Sequence, residues 1–335
     1  MVREPAVRYA YFRGKTDDEG NSGVLIFSGV SPDRQMRHWT FPGVGLFWLI
    51  ALALTASSLQ ASHLLPIEKA LLWEVSRSEK VLGYLFGTYH LPSDDKRFER
   101  PITLARTALA GVKMAAFELD LEEPGLHEAI GQAMVAPDGP NLDQLLGDEL
   151  FAKASSLLEG HGIPRFAANF LKPWAVGIIL SFPRSLEGQV MDQVLQDLAR
   201  DTNIAIIGLE SPEEQLDPYD DTSLHEQVEF AKIALQEPER IASINRQVAD
   251  AYLDGDLEGL LKISLSGSTP AERASNERFL KRAIFSRNHR MANRLRVNYA
   301  RGDLFVAVGA LHLPGPQGLV NLLRGFGYDM RPIFF

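Results

Sequence analysis

Two hexapeptides in this chain read alike: Gly87-Thr88-Tyr89-His90-Leu91-Pro92 and Gly309-Ala310-Leu311-His312-Leu313-Pro314. Each follows a short apolar, β-prone run, and the repetition points to a duplicated structural unit. Glycine at a strand end permits a sharp turn and close backbone approach. The histidine three residues on then projects past the strand, and the proline stiffens the exit. Two further apolar runs end in a carboxylate, Ala115-Ala116-Phe117-Glu118 and Ile206-Ile207-Gly208-Leu209-Glu210. In open α/β sheets, ligands bind outside the carboxyl ends of the strands. Two imidazoles and two carboxylates meeting there suit two kinds of chemistry. They can hold a divalent ion such as Mn²⁺, Co²⁺ or Zn²⁺, which makes bound water a nucleophile. Alternatively they can work as general acid and base without a metal. His90, His312, Glu118 and Glu210 are therefore candidate catalytic residues and candidate metal ligands.

Each residue also has a plainer reading. A lone histidine is more often a hydrogen-bonded structural residue, which the repeated hexapeptide argues against. Glu118 and Glu210 read equally well as helix N-terminal residues favoured by the helix dipole. From spacing alone, Arg287-Asn288 belongs to the solvated face of a charged helix. The other six histidines carry no motif.

The elements that must position these side chains follow from periodicity. Residues 71–75 and 81–86 read as a hairpin, and 102–110 as a helix. Residues 112–117 form a short apolar run. Helical spacing recurs over 142–158, 166–182 and 190–198. Residues 204–207 read as a strand buried on both faces, and 304–308 as another buried strand. A long helical stretch runs from about 222 to 300, broken near Glu237-Pro238, Asp254-Gly255 and 266–270. A helix at 318–324 and a strand at 330–334 close the chain. Strands alternating with helices predict an α/β fold, with a mostly parallel central sheet flanked by helices and a helical cap or insertion at about 222–300. The whole domain covers 70–335.

Composition narrows the function. Of 335 residues, 34 are Lys or Arg and 43 are Asp or Glu, a net charge of −9. An acidic chain without basic clusters argues against a nucleic-acid partner. The absence of cysteine excludes disulfide scaffolds, cysteine nucleophiles and iron–sulfur sites. No H-E-x-x-H, G-x-S-x-G or phosphate-loop motif is present. Residues 1–35, polar and aperiodic, read as a disordered leader or as the product of start-site choice. Residues 36–61 have the basic, apolar and small-residue regions of a signal peptide. The expected location is thus periplasmic or extracellular, with residues 42–58 a membrane anchor if the segment is not cleaved.

With these residues in hand, the chain resembles the TraB/GumN family, which includes TIKI-type metalloproteases. The likeness rests on ordered blocks: Leu72-Trp73-Glu74-Val75, Gly87-Thr88-Tyr89-His90, Phe117-Glu118-Leu119-Asp120 and Leu171-Lys172-Pro173-Trp174. Gly208-Leu209-Glu210, Glu213-Glu214-Gln215-Leu216, Arg287-Asn288 and residues 305–315 continue the series. The resemblance implies a fold shared with erythromycin esterase and ChaN-like proteins. It also implies a metal-dependent hydrolase site, that of a peptidase, falling on His90, Glu118, Glu210, Arg287, Asn288 and His312. There Arg287 with Asn288 would steady an oxyanion or a substrate carboxylate. The competing expectation is a non-catalytic binding or signalling module that captures a peptide, a metal or haem in the same crevice.

Overall fold

The structure, a computed structural model, describes residues 69–90, 96–182 and 190–334. The leader, the export segment and Leu91-Pro92 of the first hexapeptide lie outside the described residues. Six strands form one sheet in the order β4-β3-β5-β2-β1-β6. They are β1 (Leu72–Arg77), β2 (Lys80–Thr88), β3 (Met114–Phe117), β4 (Ala205–Gly208), β5 (Leu304–Gly309) and β6 (Asp329–Ile333). β4, β3, β5 and β2 run parallel, while β1 pairs antiparallel with both β2 and β6. The sheet is therefore mostly parallel, in an α/β chain.

Central β5 is buried along its whole length, as an unbroken apolar run covered on both faces must be. Helices Glu99–Leu109 and Met191–Asp201 pack together, as do Arg287–Tyr299 and Leu319–Gly325. All four feed side chains, among them Leu109, Leu195, Leu295 and Leu319, into the core around the sheet. A second core, around Phe151, Leu158, Trp174 and Val228, lies among the helices between residues 126 and 180 and helix Leu224–Gln236. Every regular element between β4 and β5 is a helix, and three of these helices start on a proline at the first turn: Pro212, Pro238 and Pro270. Proline suits that position because its missing N–H would have no partner there anyway.

Three stretches differ from the sequence reading. The helical spacing over 142–158 is split at Gly147, whose φ of 77° ends helix Leu142–Leu146 before helix Asp148–Glu159 begins. Residues 204–207 read as a strand buried on both faces, whereas β4 is an edge strand with Ala205 and Gly208 exposed. A four-residue apolar run does not reveal how many neighbours it has. The helical spacing over 166–182 belongs to two helices, Arg165–Ala168 and Pro173–Leu180. Pro173 holds Lys172 extended, which stops helix from crossing that point. Just before it, Leu171 bridges to Val135 instead.

The register explains why distant segments meet. Thr88 lies opposite Gly309, and Phe117 opposite both Ala307 and Gly208. Four adjacent parallel strands therefore end along one edge of the sheet. Their exits are where the candidate residues sit.

Candidate active site

His90 stands two residues beyond β2, Glu118 directly follows β3, and Glu210 comes two residues after β4. His312 closes a 3₁₀ turn, Ala310–His312, that caps β5. All four converge with Arg287 and Asn288, which open helix Arg287–Tyr299. A single π turn, Lys281–Ser286, precedes that helix. The Arg287 guanidinium donates from Nη1 to the Ala283 carbonyl inside this turn, at 3.0 Å.

Glu118 is the hub. Its Oε1 atom lies 3.7 Å from Nε2 of His90 and 3.6 Å from Nε2 of His312. The Gly309 N–H donates to the same oxygen at 2.7 Å. Its other oxygen accepts from Arg287 Nη2 at 2.6 Å and Gln215 Nε2 at 2.9 Å. Glu210 pairs with arginine instead: both its oxygens accept from Arg287, at 2.5 to 3.0 Å. Arg287 is fully buried between the two carboxylates.

Both imidazoles are held from behind. The Asn288 amide donates to the carbonyls of His312 and Gln317, at 3.1 and 2.8 Å. That leaves its oxygen facing His312 Nδ1 at 2.6 Å. Nδ1 must then carry the proton, which assigns the lone pair to Nε2, on the Glu118 side. His90 Nδ1 meets Asp192 Oδ2 at 2.8 Å, and Thr88 Oγ1 donates to the other Asp192 oxygen at 3.1 Å. A histidine whose rear nitrogen is fixed by a carboxylate or amide oxygen is oriented for work at its front nitrogen.

The charges follow from these contacts. Burial opposes a charged His90 ring, but the charge and hydrogen bond of Asp192, with Glu118 behind them, raise its pKa to about 10. Burial lowers His312, and Arg287 and His90 add to that against the pull of Glu118, leaving it at about 3. Burial would raise the Glu118 carboxyl. His312, Arg287 and His90 outweigh it and hold Glu118 well below the carboxylate range. Since His312 is neutral above pH 3, near neutrality the two cations do this. Burial raises Glu210, with Glu118 adding to the rise, although Arg287 opposes both. One imidazole is thus a cation and its partner a neutral base, both beside an ionised carboxylate.

Sequence reasoning missed Asp192 and gave Gln215 no role. Asp192 sits in the first turn of an amphipathic helix, where an acid looks like a dipole partner. The available signal was a pair of polar residues four apart, Asp192 and Gln196, which share the buried side. The donor types fit a divalent ion, and His90 Nε2, His312 Nε2 and Glu118 Oε1 are the atoms that would hold one. As the side chains stand, no group of three or more His, Asp or Glu among the described residues could hold a metal ion.

The fold and site define a class: an α/β protein with a buried histidine–carboxylate–arginine centre at the carboxyl ends of its parallel strands. The chain belongs to the TraB/PrgY/gumN family, whose model matches residues 71–332. It is 26% identical to the metalloprotease TIKI homolog of Nematostella vectensis, over 85% of this chain and 74% of that one. It is 23% identical to metalloprotease TIKI1 of Xenopus tropicalis (77% and 60% covered) and to that of Homo sapiens (78% and 61%). The chain thus spans about three quarters of the first relative and three fifths of the other two. No solved structure matches it.

Proposed function

We propose that this protein is a divalent-metal-dependent hydrolase of peptide bonds, acting on a peptide or protein substrate. One observation carries the reading: two imidazoles, each fixed from behind, aim their Nε2 atoms at one oxygen of an ionised glutamate. Relatives named metalloproteases support it. When bound, a divalent ion supplies Lewis-acid polarisation and acidifies water. The chain's own residues prepare the donors. Asn288 keeps the His312 proton on Nδ1, so Nε2 is free to donate its lone pair. Asp192 takes the Nδ1–H of His90 and fixes that ring. To act as a ligand, His90 would release its Nε2 proton to solvent, with Asp192 still accepting from Nδ1. Arg287, Gln215 and the Gly309 N–H hold Glu118 ionised and still, and Glu210 holds Arg287. Arg287 and Asn288 have no exposed surface, so they act as positioning residues rather than as direct contacts for an oxyanion.

Export belongs to the same proposal. Residues 36–61 would carry the chain across a membrane, to the periplasm or the cell exterior, and would anchor it if left uncleaved. Among the described residues, no helix is long and apolar enough to cross a membrane. The test is a peptide-library cleavage screen with Mn²⁺, Co²⁺ and Zn²⁺, paired with metal analysis of the purified protein. Metal-dependent cleavage lost in His90→Ala and in His312→Ala is the expected result. No cleavage under any of these ions, or equal cleavage by the variants, would overturn it.

A further inference from the structure

Helix Met191–Asp201 carries three polar residues at intervals of four, Asp192, Gln196 and Arg200, which therefore share one side. Its apolar residues Met191, Leu195 and Ala199 anchor it in the core around the sheet. Asp192 holds the exit of β2 through Thr88 and His90. One turn further along, Gln196 holds the exit of β3, and it is only 1% exposed. Its Oε1 accepts the Leu121 N–H at 3.0 Å, and its Nε2 donates to the Leu119 carbonyl at 2.9 Å. One side-chain amide thus makes the pair of bonds that the backbone of a neighbouring strand would make. Arg200 grips the same loop, pairing with Asp120 and Glu122 and donating to Gln196 Oε1 at 3.2 Å.

Strand order gives this grip its importance. β5 lies between β3 and β2, so no strand hydrogen bond joins the exit that bears Glu118 to the exit that bears His90. Arg287, Gln215 and Gly309 hold the Glu118 carboxylate, but the backbone that carries it depends on two other supports. On the β4 side, the Glu118 carbonyl accepts from the N–H groups of Leu209 and Glu210, at 3.1 and 2.9 Å. The next residue, Leu119, is held by Gln196. Asp192 and Gln196 stand about one turn, roughly 5.4 Å, apart on a rigid helix. The 3.7 Å between His90 Nε2 and Glu118 Oε1 is thereby tied to the spacing of two helical residues. His312 is held separately, by Asn288.

We infer that Gln196 is a positioning residue, which sets the place of Glu118 relative to His90 by clamping residues 119–121 to the helix that carries Asp192. The inference deepens the hydrolase reading, on which its metal measurement rests, but the rings can be followed without metal or turnover. Gln196→Leu keeps the bulk and removes both bonds. Gln196→Glu keeps the acceptor for Leu121 and loses the donor to Leu119, and it carries the test if the leucine variant does not fold. Near-ultraviolet circular dichroism shows which variant keeps its native packing. The first readout is the ¹H–¹⁵N spectrum of ring-labelled histidines in the metal-free full chain, assigned with His90→Ala and His312→Ala. In a folded variant the His90 and His312 ring signals are expected to move, while that of His225, on helix Leu224–Gln236, stays. A residue that only stabilises the fold would leave all three in place. The second readout is titration with Zn²⁺ alone, which the variants should bind about tenfold more weakly or worse. Ring signals of His90 and His312 that coincide with wild type in a folded variant overturn the inference, as does an undiminished Zn²⁺ affinity. A wild-type chain that binds no Zn²⁺ removes the metal reading, and the ring signals then decide the role of Gln196.

Discussion

A β-carbon built on Gly309 would stand 2.4 Å from Nε2 of His90. The glycine of the second hexapeptide thus makes room for the histidine of the first. The first hexapeptide's glycine in turn makes room for the backbone of the second, since a β-carbon on Gly87 would press on Ala310 at 3.0 to 3.1 Å. Adjacent parallel strands place the two motifs side by side, and each glycine clears space for the other motif. The repeat is an interlock.

Gly309→Ala therefore tests the site without breaking the fold. The backbone there, φ −50° and ψ 134°, is open to alanine. What alanine disturbs is the His90 ring and the N–H held on Glu118. A displacement of this kind costs roughly 100-fold in rate. The expected outcome is a fall of about that size in kcat/KM with a melting temperature close to that of wild type. Wild-type kinetics in Gly309→Ala would contradict the interlock.

Asp192→Asn probes the support behind His90. The side-chain shape is kept, but the charge is lost and one oxygen becomes an NH2 group, so the side chain can no longer accept from both the ring's Nδ1–H and the Thr88 hydroxyl. Removing such a supporting partner costs about 10- to 100-fold in metal affinity or activity. Titration of Mn²⁺ or Zn²⁺ into the variant should show a loss of that size. If asparagine binds metal as well as aspartate does, Asp192 has no part in orienting the ring.

How much of this was legible beforehand depended on whether the signal was local. Glycine, histidine and the carboxylates at strand ends are local, and the parallel order of β4, β3, β5 and β2 turns four such ends into one site. Asp192 was hidden because its partner is 102 residues away and its own neighbourhood reads as an ordinary helix start. Arg287 looked solvated because its spacing matches a charged helical face, yet it is buried between two carboxylates. No periodicity reports which face of a charged helix turns inward when its partners are acids rather than apolar groups. The edge position of β4 was equally out of reach, because it depends on strand order.

Arg287 also bears on stability. Replacing it with methionine leaves Glu118 and Glu210 buried without their shared cation. Removing one partner of a buried ion pair costs about 3–5 kcal/mol. Urea unfolding of Arg287→Met should show a loss in that range. Glu210→Gln should cost less, because Glu118 still pairs with the guanidinium. A reversed order would mean that Glu210, and not Arg287, anchors the cluster.

Outside the site, Glu214 predicts a pH effect with a definite sign. Its carboxylate receives both Nη1 and Nη2 of Arg294, at 2.7 and 2.8 Å, and accepts the Ser211 N–H at 3.1 Å in a capping box. The Arg294 hydrogen bonds, against a modest opposing effect of burial, lower its pKa from 4.5 to about 2. A carboxyl that is more acidic when folded stabilises the native state fully above its unfolded pKa. That contribution is lost as protons add on the way down to the folded value. Glu214→Gln should therefore melt below wild type at pH 7. The gap should narrow from about pH 5 downward and close near pH 2, a range that scanning calorimetry at stepped pH can follow. A gap that stays constant from pH 7 to pH 2 would show that the carboxylate's charge contributes nothing there, leaving only its shape in the capping box.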